Sequence, residues 1–313
     1  MTARSGLNPQ TISARKARPG GGSPADPNYA KARMGRGAVP VESVRRALRI
    51  LGCFGPTRSE LGVTDLAEML VMHKSTVHRL LLTLEREGFV RQVSGRYALT
   101  WRLLEIASGI PVRDGIRQTA LRHLAKLSER SGETAHLAVL YSGQVLYVEK
   151  VEGTRALRMP SAVGRRVPLH CTALGKVLLA GVEESEARRL VFGAPLPSLT
   201  PNTITDPVAL SKHVSQVRRR GFAIDREEIE EGLMCIAAPV SSSSESTCAA
   251  ISIAGPVSRL EARLQDNIVA VRETCAGLSA ELGPLAHQLR DTWTFDRSDS
   301  QNLNEELWAE QAR

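Results

Sequence analysis

Paired cysteines are missing from this chain. Its cysteines, Cys53, Cys171, Cys235, Cys248 and Cys275, are scattered, odd in number and free of any CxxC spacing. Such a pattern gives neither a disulfide framework nor a zinc site and reads as a reduced, cytoplasmic chain. No apolar run approaches the ~20 residues that a membrane-spanning helix needs. Residues 1–40 are polar, glycine-rich and basic, without the apolar core of a secretory signal. No membrane partner is expected, and no internal repeat is evident.

A complete catalytic set is missing as well. His170-Cys171 offers a nucleophile and a base, but sequence neighbours point apart and no third residue stands ready to orient the histidine. Gly175-Lys176 fails as a phosphate-binding loop, because residue 170 is His where that motif needs Gly, and residue 177 is Val where it needs Ser or Thr. Asp225, Glu227, Glu228, Glu230 and Glu231 cluster acid that could hold a metal, or simply form a solvated loop; no HxxxH or CxxC accompanies them. The expectation is a non-enzyme with no cofactor and no metal.

What is present begins with length and charge. A chain of 313 residues, 42% hydrophobic, has room for two cores. Its net charge of +8 is uneven: residues 1–40 hold seven Lys/Arg against one Asp, and residues 41–112 hold ten against seven Asp/Glu. The rest is close to neutral, so positive charge gathers where phosphate attraction would use it. A solvated leader that merely stays soluble is the alternative for residues 1–40.

The segment Leu66–Tyr97 reads LAEMLVMHKSTVHRLLLTLEREGFVRQVSGRY. A short helix from Asp65 to about Leu70 meets a brief turn, and a second helix opens at Lys74-Ser75-Thr76. Val77, Leu80, Leu81 and Leu84 recur at the spacing of one buried helical face. Gly88 ends that helix. Phe89–Val93 and Tyr97–Leu99 follow as β-prone runs joined at Ser94-Gly95-Arg96, like a tight hairpin. Helix, turn, helix and basic hairpin make a winged helix-turn-helix, whose partner is double-stranded DNA.

Around this unit the chain divides into a disordered basic leader (1–40), the winged helix-turn-helix (41–104), linker helices (105–131), a larger domain (132–290) and a polar tail (291–313). Val44, Leu48 and Leu51 share one face of a first helix, which Gly55-Pro56 breaks. Trp101–Ile106 starts a further helix, and a long one over roughly Arg113–Arg130 connects the domains. Beyond Gly132, strands are expected at Thr134–Tyr141, Gln144–Val151, Arg155–Met159, Phe222–Asp225, Met234–Val240 and Ala249–Ala254. Helices are expected at Ala173–Ala180, Glu183–Phe192, Val208–Arg220 and Leu260–Leu282. Antiparallel strands with flanking helices give an α+β class.

Over roughly residues 41–285 the chain resembles the IclR family of bacterial transcriptional regulators. SVRRALRILGCF, KSTVHRLLLTLEREGFV and YALTWRLLEIA carry the N-terminal likeness. VGRRVPLHCTALGKVLLA, RRRGFAIDREEIEEGLMCIAAPV and ISIAGPVSRL carry the C-terminal one, in the expected order. The resemblance implies a GAF-like α/β effector-binding domain, a homodimer or homotetramer, and repression or activation of small-molecule metabolism. One departure stands out: the family's Gly-Leu-Pro in the helix-turn-helix turn is here Val71-Met72-His73, placing a β-branched residue where glycine would meet positive φ freely.

At the DNA end, Arg45, Arg46, Thr64, Lys74, Ser75, Thr76, His78, Arg79, Thr83, Arg91 and Arg96 are the candidate contacts. Arg79 suits bidentate guanine readout, and Arg91 and Arg96 suit phosphate or minor groove. Ser75 could instead be the helix N-cap; Arg45 and Arg46 could lie on a solvated face.

By resemblance, Ala173, Asp225, Cys235, Ser252 and Ala254 would contact an effector, with Met159, Val167 and Leu233 as apolar walls. A helix opening near Thr172 would seat a carboxylate on its backbone N–H groups. The expected effector is a small organic acid, aromatic acids included. The alternatives are a buried apolar role for Cys235 and a turn role for Asp225, and a second domain that oligomerises without binding any ligand.

Overall fold

The computed structural model describes residues 40–55, 58–108, 113–155, 161–241 and 247–283, with the backbone course alone for 113–116. The expected strand over Arg155–Met159, the leader and the tail fall largely or wholly outside these residues. Among the described residues no helix is long and apolar enough to cross a membrane.

The N-terminal unit is α1 (Glu42–Gly52), β1 (Glu60–Leu61), α2 (Val63–Met69), α3 (Lys74–Arg86), β2 (Val90–Val93) and β3 (Arg96–Leu99). Its three short strands pair antiparallel in the order β1-β3-β2. Val93 opposes Arg96, so the wing turns on two residues, Ser94 (φ 49°) and Gly95 (φ 81°), the left-handed pair that a tight hairpin demands. Ile50, Leu66, Val77, Leu81, Leu84 and Tyr97 fill the core. Each aliphatic side chain so enclosed contributes about 1.5–3 kcal/mol.

Two details refine the expectations for this unit. Of the expected face of α1, Val44 and Leu48 are solvent-exposed while Leu51 packs partly on the core; Ile50 is the α1 residue fully inside. The N-cap of α3 is His73, with Ser75 two positions further in, so Ser75 does not cap the helix.

After α4 (Arg102–Ser108) and α5 (Arg113–Ser131), the C-terminal domain places six antiparallel strands in the order β6-β5-β4-β9-β8-β7. These are β4 (Thr134–Tyr141), β5 (Gln144–Val151), β6 (Arg166–Val167), β7 (Ala223–Arg226), β8 (Leu233–Ser241) and β9 (Thr247–Pro256). Tyr141 opposes Gln144 across Ser142 (φ 48°) and Gly143 (φ 74°), a second two-residue hairpin. Both faces of the sheet are covered, which explains why β8 reads as the near-continuous apolar run Leu233–Val240 rather than as an alternation.

One face packs on α5 and on α10 (Leu264–Leu282), around Leu124, Leu137, Ile236, Ile251 and Val271. The other carries α6 (Ala173–Ala180) and α8 (Pro207–Arg220), with α7 (Glu184–Phe192) outside them. Asp206 caps α8 by accepting from the N–H groups of Val208 and Ala209, Pro207 opens its first turn, and Gly221 (φ 75°) closes it. The terminal helix expected over Leu260–Leu282 is two helices. α9 (Val257–Ala262) lies against β8 and β9, and at Arg263 (φ −131°, ψ 35°) the chain turns into α10.

Candidate functional site

The DNA-facing candidates lie outside the N-terminal core. Burial of Val77, Leu81 and Leu84 leaves Lys74, Ser75, His78, Arg79 and Thr83 exposed on α3, with Thr76 half-buried. Thr64, at the head of α2, is exposed. No side chain caps α3 and no acid sits in its first turn; Thr76 and Val77 are the first amides to reach back to His73 O. The N–H groups of Lys74 and Ser75 therefore face outward at the positive end of a 13-residue helix, a ready phosphate seat. Thr83 Oγ1 donates to Arg79 O at 3.1 Å.

Arg91 and Arg96 are exposed on the wing, but Arg96 is already engaged. It donates to Asp65 Oδ2 at 2.7 Å and to Glu60 O at 3.1 Å, tying the hairpin to α2. Asp65 also accepts from Gly62 N–H at 2.9 Å, closing the first turn of α2. Arg45 and Arg46 both pair with Glu42 on the outer face of α1. Between the two helices Val71 has φ 50° and is 93% exposed. The branched side chain thus sits in a left-handed turn with no packing to compensate for it.

In the second domain the sheet register gathers residues scattered over 120 positions. Asp225 opposes Cys235, Cys235 opposes Ala254, and Ala254 opposes Thr134; one step along, Ala223, Ala237, Ser252 and His136 form the next row. Opposed residues point to the same face, and this face is the one under α6. Asp225, Cys235, Ser252 and Ala254 therefore share one floor, with Leu233 further along β8 and Val167 at the β6 edge in the same core. Ala173 opens α6 above it, fully buried. Met159 lies outside the described residues. The floor is made of small side chains, and above it Gly175 lets the chain leading into α6 fold back against that helix: a Cβ there would stand 2.2 Å from Leu169 O.

Asp225 is fully buried. Its Oδ1 accepts from Glu228 N–H at 2.8 Å, while Oδ2 has no hydrogen-bond partner. The Cys235 thiol faces the carboxylate, but a thiol is a weak donor. Burial, the dominant cause, with Glu228 adding like charge, pushes the Asp225 carboxyl up to about 7. Burial likewise holds Cys235 and Cys171 as thiols, well above the ordinary range.

Sequence reasoning missed the buried charge beside this floor. Lys176 is completely enclosed and donates to Glu228 Oε1. Thr200 Oγ1 donates to Glu227 O at 2.6 Å and Thr203 Oγ1 to Glu228 O at 2.7 Å, clasping the acidic turn from outside. The acidic cluster thus separates: Asp225 and Glu228 point in, Glu230 and Glu231 point out. Among the described residues no group of His, Cys, Asp and Glu is arranged to hold a metal ion. His170 turns Nε2 to Pro197 O at 3.0 Å.

The two halves have separate counterparts among known proteins. A model of the IclR helix-turn-helix domain matches residues 43–94, and a model of the bacterial transcriptional regulator IclR C-terminal domain matches residues 111–280. The chain belongs to the IclR family. It is 37% identical over 246 residues to the HTH-type transcriptional regulator XynR of Escherichia coli, covering 78% of this chain and 98% of that protein. It is also 37% identical to KdgR of Escherichia coli, covering 78% and 93%. Among solved structures, the Thermotoga maritima IclR superposes with a TM-score of 0.62 at 33% identity, over 77% of this chain and 98% of the other. An IclR homologue from Microbacterium hydrocarbonoxydans complexed with 4-hydroxybenzoate gives 0.69 at 29% identity, over 77% and 99%. As an IclR-family member the protein is a DNA-binding transcriptional regulator with a C-terminal effector domain, not an enzyme.

Proposed function

We propose that this regulator binds a palindromic operator as a homo-oligomer in the cytoplasm, and that a small organic acid, aromatic acids included, changes its hold on DNA. The carrying observation is the convergence of Asp225, Cys235, Ser252 and Ala254 on one floor beneath α6, with Asp225 Oδ2 unpartnered. The N–H groups of Ala173 and Leu174, at the start of α6 and unmatched within the helix, suit a carboxylate. The homologue holding 4-hydroxybenzoate supports the acid class.

At the DNA end, Lys74, Ser75 and Thr76 hold phosphate, and His78, Arg79 and Thr83 approach base edges. Thr64, Arg91, Arg96, Arg45 and Arg46 add backbone contacts. The exposed stripe of Val41, just before α1, with Val44 and Leu48 on it supports self-association of the N-terminal unit. Paired recognition helices then meet half-sites about 34 Å apart, or a multiple of that. Effector acts through differential affinity for DNA-competent and incompetent arrangements, with α5 as the connection.

Calorimetric titration of 4-hydroxybenzoate into the wild type and Ala173→Trp tests the pocket. Binding by the wild type and its loss in the variant is the expected result; equal affinity in both would move the pocket elsewhere. Sequencing the DNA retained from a fragmented genome should return a two-fold symmetric motif. A full chain that retains such DNA, yet shows no melting shift with any organic acid, would leave its second domain an oligomerisation module only.

A further inference from the structure

We infer that His136 is a specificity residue of the effector floor, reading a hydroxyl group on the ligand through its Nδ1. The inference rests on the proposed effector pocket and adds a ligand feature to it. His136 lies on β4 directly opposite Ser252 and on the same face, one register row from Ala254. It is 1% exposed, and its Nδ1 is buried without a hydrogen-bond partner. Buried imidazoles ordinarily satisfy both nitrogens, so an orphan beside small Ser and Ala side chains marks the ring edge that a ligand would complete.

The ring is held from its other sides. Nε2 lies 2.7 Å from Ser161 Oγ, and Lys150 Nζ donates to Ser161 O at 2.8 Å, fixing the serine in turn. The imidazole packs on Tyr147, ring centroids 4.9 Å apart. Enclosure, with the Lys150 charge adding to it, lowers the His136 pKa to about 3, so the ring is neutral and offers no cation to a carboxylate.

A neutral imidazole bonded to a hydroxyl at Nε2 can be either tautomer, because Ser161 can donate or accept. Nδ1 is then either acceptor or donor. A hydroxyl is the small ligand group that satisfies both cases, whereas a carboxylate serves only one. His136 and Asp225 stand three strands and one register row apart on the floor, roughly 16 Å, so the two residues read different ends of it.

The test compares acids that differ by one hydroxyl, 4-hydroxybenzoate against benzoate and lactate against propionate, by calorimetry on the full chain. The wild type should bind a hydroxy acid about tenfold more tightly than its deoxy partner. His136→Phe keeps a ring against Tyr147; it should abolish that preference while leaving deoxy-acid affinity within about threefold. Acids that bind without such discrimination, or discrimination that survives in His136→Phe, would overturn the assignment and leave the effector pocket standing. Binding of none of the four would remove the organic-acid reading and this inference with it. Should the variant not fold, ¹⁵N-histidine spectra of the wild type decide. The His136 Nδ1 resonance must move with 4-hydroxybenzoate and stay put with benzoate; no movement with a bound hydroxy acid overturns the proposal.

Discussion

The Lys176 ammonium and the Glu228 carboxylate meet in the interior of the effector domain, both shielded from solvent, 52 residues apart in sequence. Glu228 and Asp225 together present two carboxyl groups to one ammonium. Removing the cation alone leaves that acid uncompensated. Lys176→Met should destabilise the domain by ~3–5 kcal/mol, and adding Glu228→Leu should recover most of the loss. Urea denaturation of the single and double variants measures both; a single variant within about 1 kcal/mol of wild type would show that Glu228 is content without its partner.

The Asp225 carboxyl predicts a pH dependence. Its folded-state pKa, about 7, lies above the ordinary value of 3.8, so between these values the folded state holds a proton that the unfolded state has lost. Stability from this group is therefore fully present below about pH 4 and is lost as pH rises towards 7. His136 and His213, lowered to about 3 and about 4, contribute the opposite slope below 6.5. Comparison with Asp225→Asn isolates the carboxyl: from pH 4.5 to 7.5 the wild type should lose on the order of 3 kcal/mol relative to the variant. Parallel stability curves for the two proteins would contradict the assignment.

In the DNA-binding unit, Val71→Gly should stabilise rather than weaken. The side chain is exposed at φ 50°, so nothing is lost in packing while the left-handed strain disappears. A gain of ~0.5–1 kcal/mol remains after glycine's extra unfolded-state entropy is subtracted. Slower hydrogen exchange of the α2 and α3 amides would report it; faster exchange would mean that the turn uses the valine.

Arg79 and Arg96 should behave differently towards operator DNA. Arg79→Ala is expected to cost ~1–3 kcal/mol and relax sequence choice at one base pair. Arg96→Ala should leave the preferred sequence alone and reduce the salt dependence by about one counterion. It also breaks the exposed ion pair with Asp65, worth at most ~1 kcal/mol. Gel shifts across a salt series separate the two effects, and full operator affinity in Arg79→Ala would rule out this orientation of α3.

Much of the fold was legible because it is locally encoded. Thr134–Tyr141 and Gln144–Val151 carry strand pattern on both sides of Ser142-Gly143, and both strands have those bounds. Ala173–Ala180 was equally plain, an apolar helix behind a threonine cap. The break at Arg263 was not, since no Gly or Pro marks it and packing on the sheet sets it. Periodicity showed that Val44 and Leu48 share a face, but not what would cover that face. The floor beneath α6 came from likeness to a family; its physical cause, the register of β7, β8, β9 and β4, is non-local. The Lys176–Glu228 pair had visible halves, one dismissed as a failed phosphate loop and the other as solvated acid. Nothing local joins them.

Strand β4 follows α5 after a short link at Gly132 and Glu133, and its side chains alternate across the sheet: Ala135 and Leu137 pack towards α5 and α10, while His136 points beneath α6. The pleat makes these neighbours one mechanical piece. A displacement of His136 on one side is a displacement of Ala135 and Leu137 on the other, delivered to the helix that leads back to the N-terminal unit. A single layer of backbone, rather than a chain of side-chain relays, separates the proposed effector floor from α5.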